Sequence, residues 1–156
     1  MIIAIDPGSE KSAFVIWDGE KIFEKGIMSN GYVASYLRKN QKRCLTTVIE
    51  MVASYGMPVG KTVFETCVWI GRFIECSYYR QLMYRKDVKM HLCQSMRAKD
   101  SNIRQALIDR FGRPGTIKKP NLVYGETNKV EDKIKADLWA ALAVAVTWWD
   151  NAPNKG

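Results

Sequence analysis

The chain has 156 residues, the size of one ordinary domain, and with 47% hydrophobic residues it can fill a core without disulfide support. Its 24 Lys and Arg against 16 Asp and Glu leave a net charge of +8, the balance of a nucleic-acid binder, and no basic amphipathic segment or lipidation motif points to a membrane surface. The 26% charged content and steady apolar periodicity exclude disorder, and Cys44, Cys67, Cys76 and Cys93 contain no CxxC pair, which fits reduced thiols rather than a zinc site.

Met1 to Ile5 is a buried strand stopped by Asp6-Pro7-Gly8. No charged lead or long apolar stretch accompanies it, so no signal peptide is expected and the expected location is the cytoplasm. Ser12 to Trp17 and Lys21 to Met28 flank the turn Asp18-Gly19 and form a hairpin. Gly31 to Gln41 has helical spacing, with Asn30 as a possible cap. Leu45 to Glu50 is a short β-branched strand ending on an acid. A loop at Tyr55 to Gly60 precedes a long aromatic-rich helix predicted from Lys61 to about Tyr84. Val88 to Cys93 reads as the fifth strand, with His91 as a satisfied buried histidine. Asp100 to Phe111 is a helix capped by Asp100 or Ser101, Gly112 to Gly125 a loop, and Glu131 to Trp149 a last apolar helix.

This order predicts one α/β domain over residues 1–156. Its sheet is mixed and five-stranded, with three antiparallel strands followed by parallel ones, and helices cover both faces.

Three acids carry the candidate chemistry. Asp6 and Glu50 each end a strand, and ligands gather beyond the carboxyl ends of strands in open α/β sheets. If those strands are parallel neighbours, the two carboxylates meet and repel, and a hard divalent cation resolves that repulsion. Asp137, placed in the first half of the last helix, can complete the cluster. Singly, each acid also has an ordinary structural use: an Asx turn for Asp6, a strand-end surface acid for Glu50, a helix-dipole partner for Asp137.

The motifs match a known family. Ile3-Ala4-Ile5-Asp6-Pro7-Gly8-Ser9 resembles the opening of RuvC-type Holliday-junction resolvases. Val48-Ile49-Glu50, followed by a helix with Ile70-Gly71-Arg72, resembles their second acidic segment. Arg97-Ala98-Lys99-Asp100-Ser101-Asn102-Ile103-Arg104 and Asp137-Leu138-Trp139-Ala140-Ala141-Leu142-Ala143-Val144-Ala145 resemble two later ones. The resemblance spans nearly the whole chain, and the 112–125 segment is similar to the phage-borne branch. It implies an RNase H-like fold and a homodimer that cuts four-way junction DNA with Mg2+, Mn2+ substituting. It also implies Asp6, Glu50 and Asp137 as catalytic metal ligands, and no nucleotide cofactor. Two carboxylate-bridged metals would activate a water and stabilise the leaving 3′ oxygen.

One position departs from the family pattern. A second acid, or a His and an acid, usually stands three residues from its partner on the last helix, but here Ala140 follows Asp137 by three and Ile134 precedes it by three. Ala140 could be an acid-to-alanine change. Asp132, five residues before Asp137, is off its helical face and only a marginal further ligand; Lys133, four before, shares that face and could touch a phosphate.

Arg72, Lys99, Arg104, Arg113, Lys118, Lys119 and Lys133 are the candidate DNA contacts, with Lys61, Arg80, Arg85 and Arg97 as more general phosphate-binding candidates. Tyr78, Tyr79 and Tyr84 could stack on exposed bases or pack. Three rival functions remain at this level: a nuclease for other branched DNA or structured RNA, an actin-like ATPase, and a non-catalytic DNA-binding module. The ATPase reading would require a second phosphate loop, and none is visible.

Overall fold

In a computed structural model, residues 1–43, 45–111 and 134–153 are described. Five strands form one sheet: β1 (Ile2–Asp6), β2 (Lys11–Trp17), β3 (Ile22–Ser29), β4 (Thr46–Met51) and β5 (Tyr79–Tyr84), in the order β3-β2-β1-β4-β5. β1, β2 and β3 are antiparallel, whereas β4 and β5 run parallel to β1. The helices are α1 (Asn30–Asn40), α2 (Lys61–Glu75), α3 (Arg85–Cys93), α4 (Asp100–Phe111) and α5 (Leu138–Asn151).

The sheet makes two cores because side chains alternate along a strand. Ile2, Ala4, Val15, Trp17 and Val48 face α3, α4 and α5, whereas Ile3, Ile5, Phe14, Ile16 and Ile49 face α1 and α2. Both faces of β1 are therefore apolar, and Ile2 through Ile5 are at most 1% exposed. Each of the three isoleucines there contributes about 1.5–3 kcal/mol on burial.

The predicted hairpin turn is present. Asp18 Oδ1 accepts from the backbone of Glu20 at 2.9 Å and Lys21 at 2.7 Å. Gly19 takes φ +102°, and a Cβ there would strike Trp149.

The second half departs from expectation in four places. The long helix stops at Glu75 instead of continuing to Tyr84. Cys76 and Ser77 close it with backbone bonds to Arg72 and Ile74, and the Ser77 hydroxyl donates to the Phe73 carbonyl. Tyr79–Tyr84 is the fifth strand. It is an edge strand, so most of its side chains remain exposed and it lacks the apolar alternation of a half-buried strand. The expected strand Val88 to Cys93 is helical, because Val88 and Leu92, four residues apart, pack into the same core. His91 consequently lies on a helix, where its Nε2 is 2.7 Å from Asp150 Oδ2. The last helix starts at Leu138, so Asp137 occupies its N-cap position rather than its first half.

At the first helix, Ser29 rather than Asn30 is the cap, its Oγ accepting from Tyr32 N. Lys99 precedes Asp100 at the start of α4, and its carbonyl accepts from Asn102 and Ile103. Among the described residues Cys67, Cys76 and Cys93 are free, and no helix is long and apolar enough to cross a membrane.

Candidate active site

The site begins with strand register. β1 and β4 pair from Ile2 with Thr46 to Ile5 with Ile49, so one further step sets Asp6 beside Glu50. Asp6 follows Ala4, and Glu50 follows Val48, on the face that packs against α5. β5 pairs with β4 up to Met51 with Tyr84, and Arg85 is the next residue. Asp6, Glu50 and Arg85 therefore stand at the carboxyl ends of three adjacent parallel strands. This is the edge of an open α/β sheet at which ligands bind.

The turn after Asp6 is fixed by a closed ring of hydrogen bonds. Gly8 N donates to Ser12 Oγ at 3.2 Å, Ser12 Oγ donates to Asn30 Oδ1 at 2.6 Å, and Asn30 Nδ2 donates back to Gly8 O at 2.9 Å. Gly8 is required here, because a Cβ would lie 2.3 Å from the Lys11 carbonyl oxygen.

Charge is crowded at this edge. Burial, followed by the negative charges of Glu50 and Asp137, pushes the Asp6 carboxyl up to about 7. Asp100 adds to that repulsion, and Arg85 opposes it. The coupling of Asp6 to both Glu50 and Asp137 brings the three sequence-predicted acids into one electrostatic cluster. Asp137 makes no side-chain capping bond to α5, so capping does not engage its carboxylate.

Glu50 is 8% exposed and is held by Arg85, whose Nη1 lies 3.2 Å from Oε1 and 3.4 Å from Oε2. The other arm of the guanidinium, Nη2, is bonded to Asp100 Oδ1. Burial nevertheless raises the Glu50 carboxyl, and the Arg85 charge offsets this only in part. Such an outcome is expected of a desolvated ion pair.

The donor set suits a hard divalent cation: carboxylate oxygens, one of them buried and destabilised by its neighbours. Among the described residues no three acidic, His or Cys side chains already surround a common point at ligating spacing. Glu50 is turned onto Arg85 instead. Ala140 presents a methyl group where the sequence pattern leaves room for a further acid.

The basic candidates divide between two faces. Lys99 is exposed next to Asp100, and the Arg104 guanidinium lies 5.5 Å from the Trp139 ring, two residues beyond Asp137. Both flank the acids. Arg72 lies on α2, over Trp69 at 4.5 Å, on the helix covering the opposite face of the sheet. Arg113, Lys118, Lys119, Asp132 and Lys133 lie outside the described residues. Tyr78, Tyr79 and Tyr84 are exposed at or beside the edge strand, whereas Trp148 bonds to Gln81 and Trp149 packs against Trp17. The crevice between α1, β4 and Ser77-Tyr78 is lined by no acidic side chain and lies away from this cluster.

Arg85 and Asp100 are the participants that sequence reasoning missed. Arg85 stood only among the general phosphate-binding candidates, and Asp100 only as a helix cap and as part of the Arg97-to-Arg104 family-like segment, with no site role. The signal was the end of β5, hidden while residues 79–84 read as helix.

With this geometry the chain superposes on two solved structures. One is the Thermus thermophilus RuvC structure, with a TM-score of 0.61 and 14% identity, covering 94% of this chain and 91% of that one. The other is T. thermophilus RuvC in complex with a Holliday junction substrate, with a TM-score of 0.62 and 14% identity, covering 94% and 90%. The fold is RuvC-like. Its mixed five-stranded sheet with flanking helices is therefore of the RNase H-like type that the motifs implied. No family model matches the chain, and no curated protein matches it in sequence. At 14% identity the RuvC likeness carries the architecture, and the chemistry must be argued from the acids themselves.

Proposed function

We propose that this chain is a structure-selective DNA endonuclease that resolves four-way junctions by metal-dependent phosphodiester hydrolysis. The observation that carries this reading is the placing of Asp6 and Glu50 at adjacent strand ends, electrostatically coupled to Asp137, on a RuvC-like sheet. Asp6, Glu50 and Asp137 would hold the ion, Mg2+ with Mn2+ as a substitute. The bound ion would supply Lewis-acid stabilisation of a phosphodiester undergoing in-line displacement.

The remaining work falls to the chain. Asp6, pinned by the Gly8-Ser12-Asn30 ring, fixes the position of the centre. Lys99 and Arg104 supply positive charge beside it for the DNA backbone, with Arg72, Arg113, Lys118, Lys119 and Lys133 as further contacts. Asp132 stays the marginal further ligand. The whole chain would act as one nuclease domain in the cytoplasm. Two copies would meet through α2, whose Phe64 and Val68, one turn apart, are 61% and 55% exposed.

The deciding experiment is a cleavage assay on four-way junction, fork, duplex and structured RNA, with Mg2+, with Mn2+ and with chelator. Junction cutting that needs the metal, and that is lost in Asp6→Asn while junction binding is kept, is the expected result. Cutting that prefers forks or RNA would retain the nuclease but change its substrate. Absence of nicking with either metal would sink the enzymatic reading in favour of a DNA-binding module. Ala140 is the observation favouring that second reading, and a gain of cleavage in Ala140→Asp would mark it as the missing ligand position.

A further inference from the structure

We propose that Arg85 is the resident cation of this site, standing in for a second divalent ion, so that each chain takes up one such ion rather than two. The inference rests on the metal-dependent reading above and concerns how this particular chain balances its acids.

Arg85 is built into the scaffold. It follows directly from the last residue of β5 and opens α3, so two elements fix its backbone. Its side chain is 27% exposed, and the Glu50 side chain that it holds is 10% exposed. One arm of the fork meets both oxygens of Glu50, and the other meets Asp100. A guanidinium is planar and permanently charged, so this bridge is a fixed positive charge between two carboxylates. Held between Glu50 at the end of β4 and Asp100 at the start of α4, the guanidinium supplies the positive charge that a second metal ion would otherwise supply.

The charge balance agrees. Asp6, Glu50, Asp100 and Asp137 carry four negative charges when ionised, and Arg85 cancels one. With Lys89, one helical turn along α3 from Arg85, whose field reaches Glu50, cancelling a second, a single divalent ion brings the cluster to neutrality, whereas two ions would leave it two charges positive. On the α5 side, Ala140 supplies no carboxylate to offset a further ion. The ion therefore belongs on the Asp6 and Asp137 side of the cluster. Arg85 acts through Glu50 and is a positioning residue.

The test counts ions instead of turnover. Free Mn2+ would be measured by electron paramagnetic resonance during titration of the full chain, for wild type, Arg85→Gln and Arg85→Lys. The expected stoichiometry is one ion per chain for wild type and for Arg85→Lys, which restores the charge, and two for Arg85→Gln. Two ions on wild type would overturn the proposal while leaving the nuclease intact. So would an unchanged single ion of unchanged affinity in folded Arg85→Gln. No Mn2+ on wild type at all would sink the metal-dependent reading itself, and the proposal with it. If Arg85→Gln does not fold, the wild-type count still decides.

Discussion

The Ser12 hydroxyl donates to Asn30 Oδ1 across 2.6 Å with both residues 1% exposed, and this bond ties the end of the hairpin to the turn that carries Asp6. Asn30 also bonds to the Gly8 carbonyl, so neither residue can be trimmed without leaving a buried polar group unpaired. Asn30→Ala should cost about 1–3 kcal/mol. Ser12→Ala should cost less, and the double variant less than the sum, because the bonds form one ring. Urea melts of the three variants check this. Additive losses would show that the ring is not a unit.

Asp6 gives a pH dependence with a definite sign. Its carboxyl lies near 7 in the folded chain, against an ordinary value of 3.8. A raised folded value means that the unfolded chain releases this proton first. The folded state is thus favoured most below the ordinary value, and that advantage is lost as pH rises through about 7. In chelator, Asp6→Asn should be more stable than wild type in mildly alkaline buffer, by on the order of a few kcal/mol. The two should converge towards pH ~4. Thermal melts across this range check it; parallel curves would mean that Asp6 is not destabilised by its neighbours.

The far end of α5 shows the opposite sign. Arg110 and His91 hydrogen-bond to Asp150, with Arg110 Nη2 at 2.8 Å from Oδ1, and the Arg110 bond first among them brings its carboxyl down to about 2. The stability that this group adds is present above the ordinary carboxylate value and is lost as pH falls through about 2. Asp150→Asn should cost about 1–2 kcal/mol near neutrality, discounted because the Arg110 side of the network is solvent-exposed. The cost should shrink in acid. Denaturant midpoints at both conditions provide the check, and a cost independent of pH would argue for packing instead of charge.

Lys99 and Arg104, two of the cations near the acids, should register in salt dependence. Lys99→Ala and Arg104→Ala should each lower the slope of log affinity for junction DNA against log salt by about one phosphate's worth. They should do so without altering which DNA structure is preferred. Filter binding across a salt series measures it. An unchanged slope for both would remove this face from the DNA path.

The sheet was largely legible because its central strands announce themselves. Ile2 to Ile5 is apolar throughout, Thr46 to Ile49 is β-branched throughout, and Asp18-Gly19 marks the hairpin. Asp6 and Glu50 could be paired from sequence because both follow such strands. The edge was not legible. Tyr79 to Tyr84 shows no apolar face, most of its side chains being exposed, and among the described residues no strand pairs with its outer side; its aromatic spacing joins smoothly to that of α2. Reading it as helix displaced the fifth strand onto Val88 to Cys93 and left Arg85 away from any strand end. Tertiary pairing with β4 decided the matter, and nothing local to those residues encodes it.

Strand alternation also links two properties usually considered apart. Asp6 shares its side of β1 with Ile2 and Ala4, and Glu50 its side of β4 with Val48. A slip of β4 by one residue would send Glu50 towards α1 and α2, and would strand Ile49 on the wrong side as well. Variants that keep their hydrophobic layers therefore keep these acids aligned, so evolution can rework the surface freely while the cost of misfolding guards the alignment of Asp6 and Glu50.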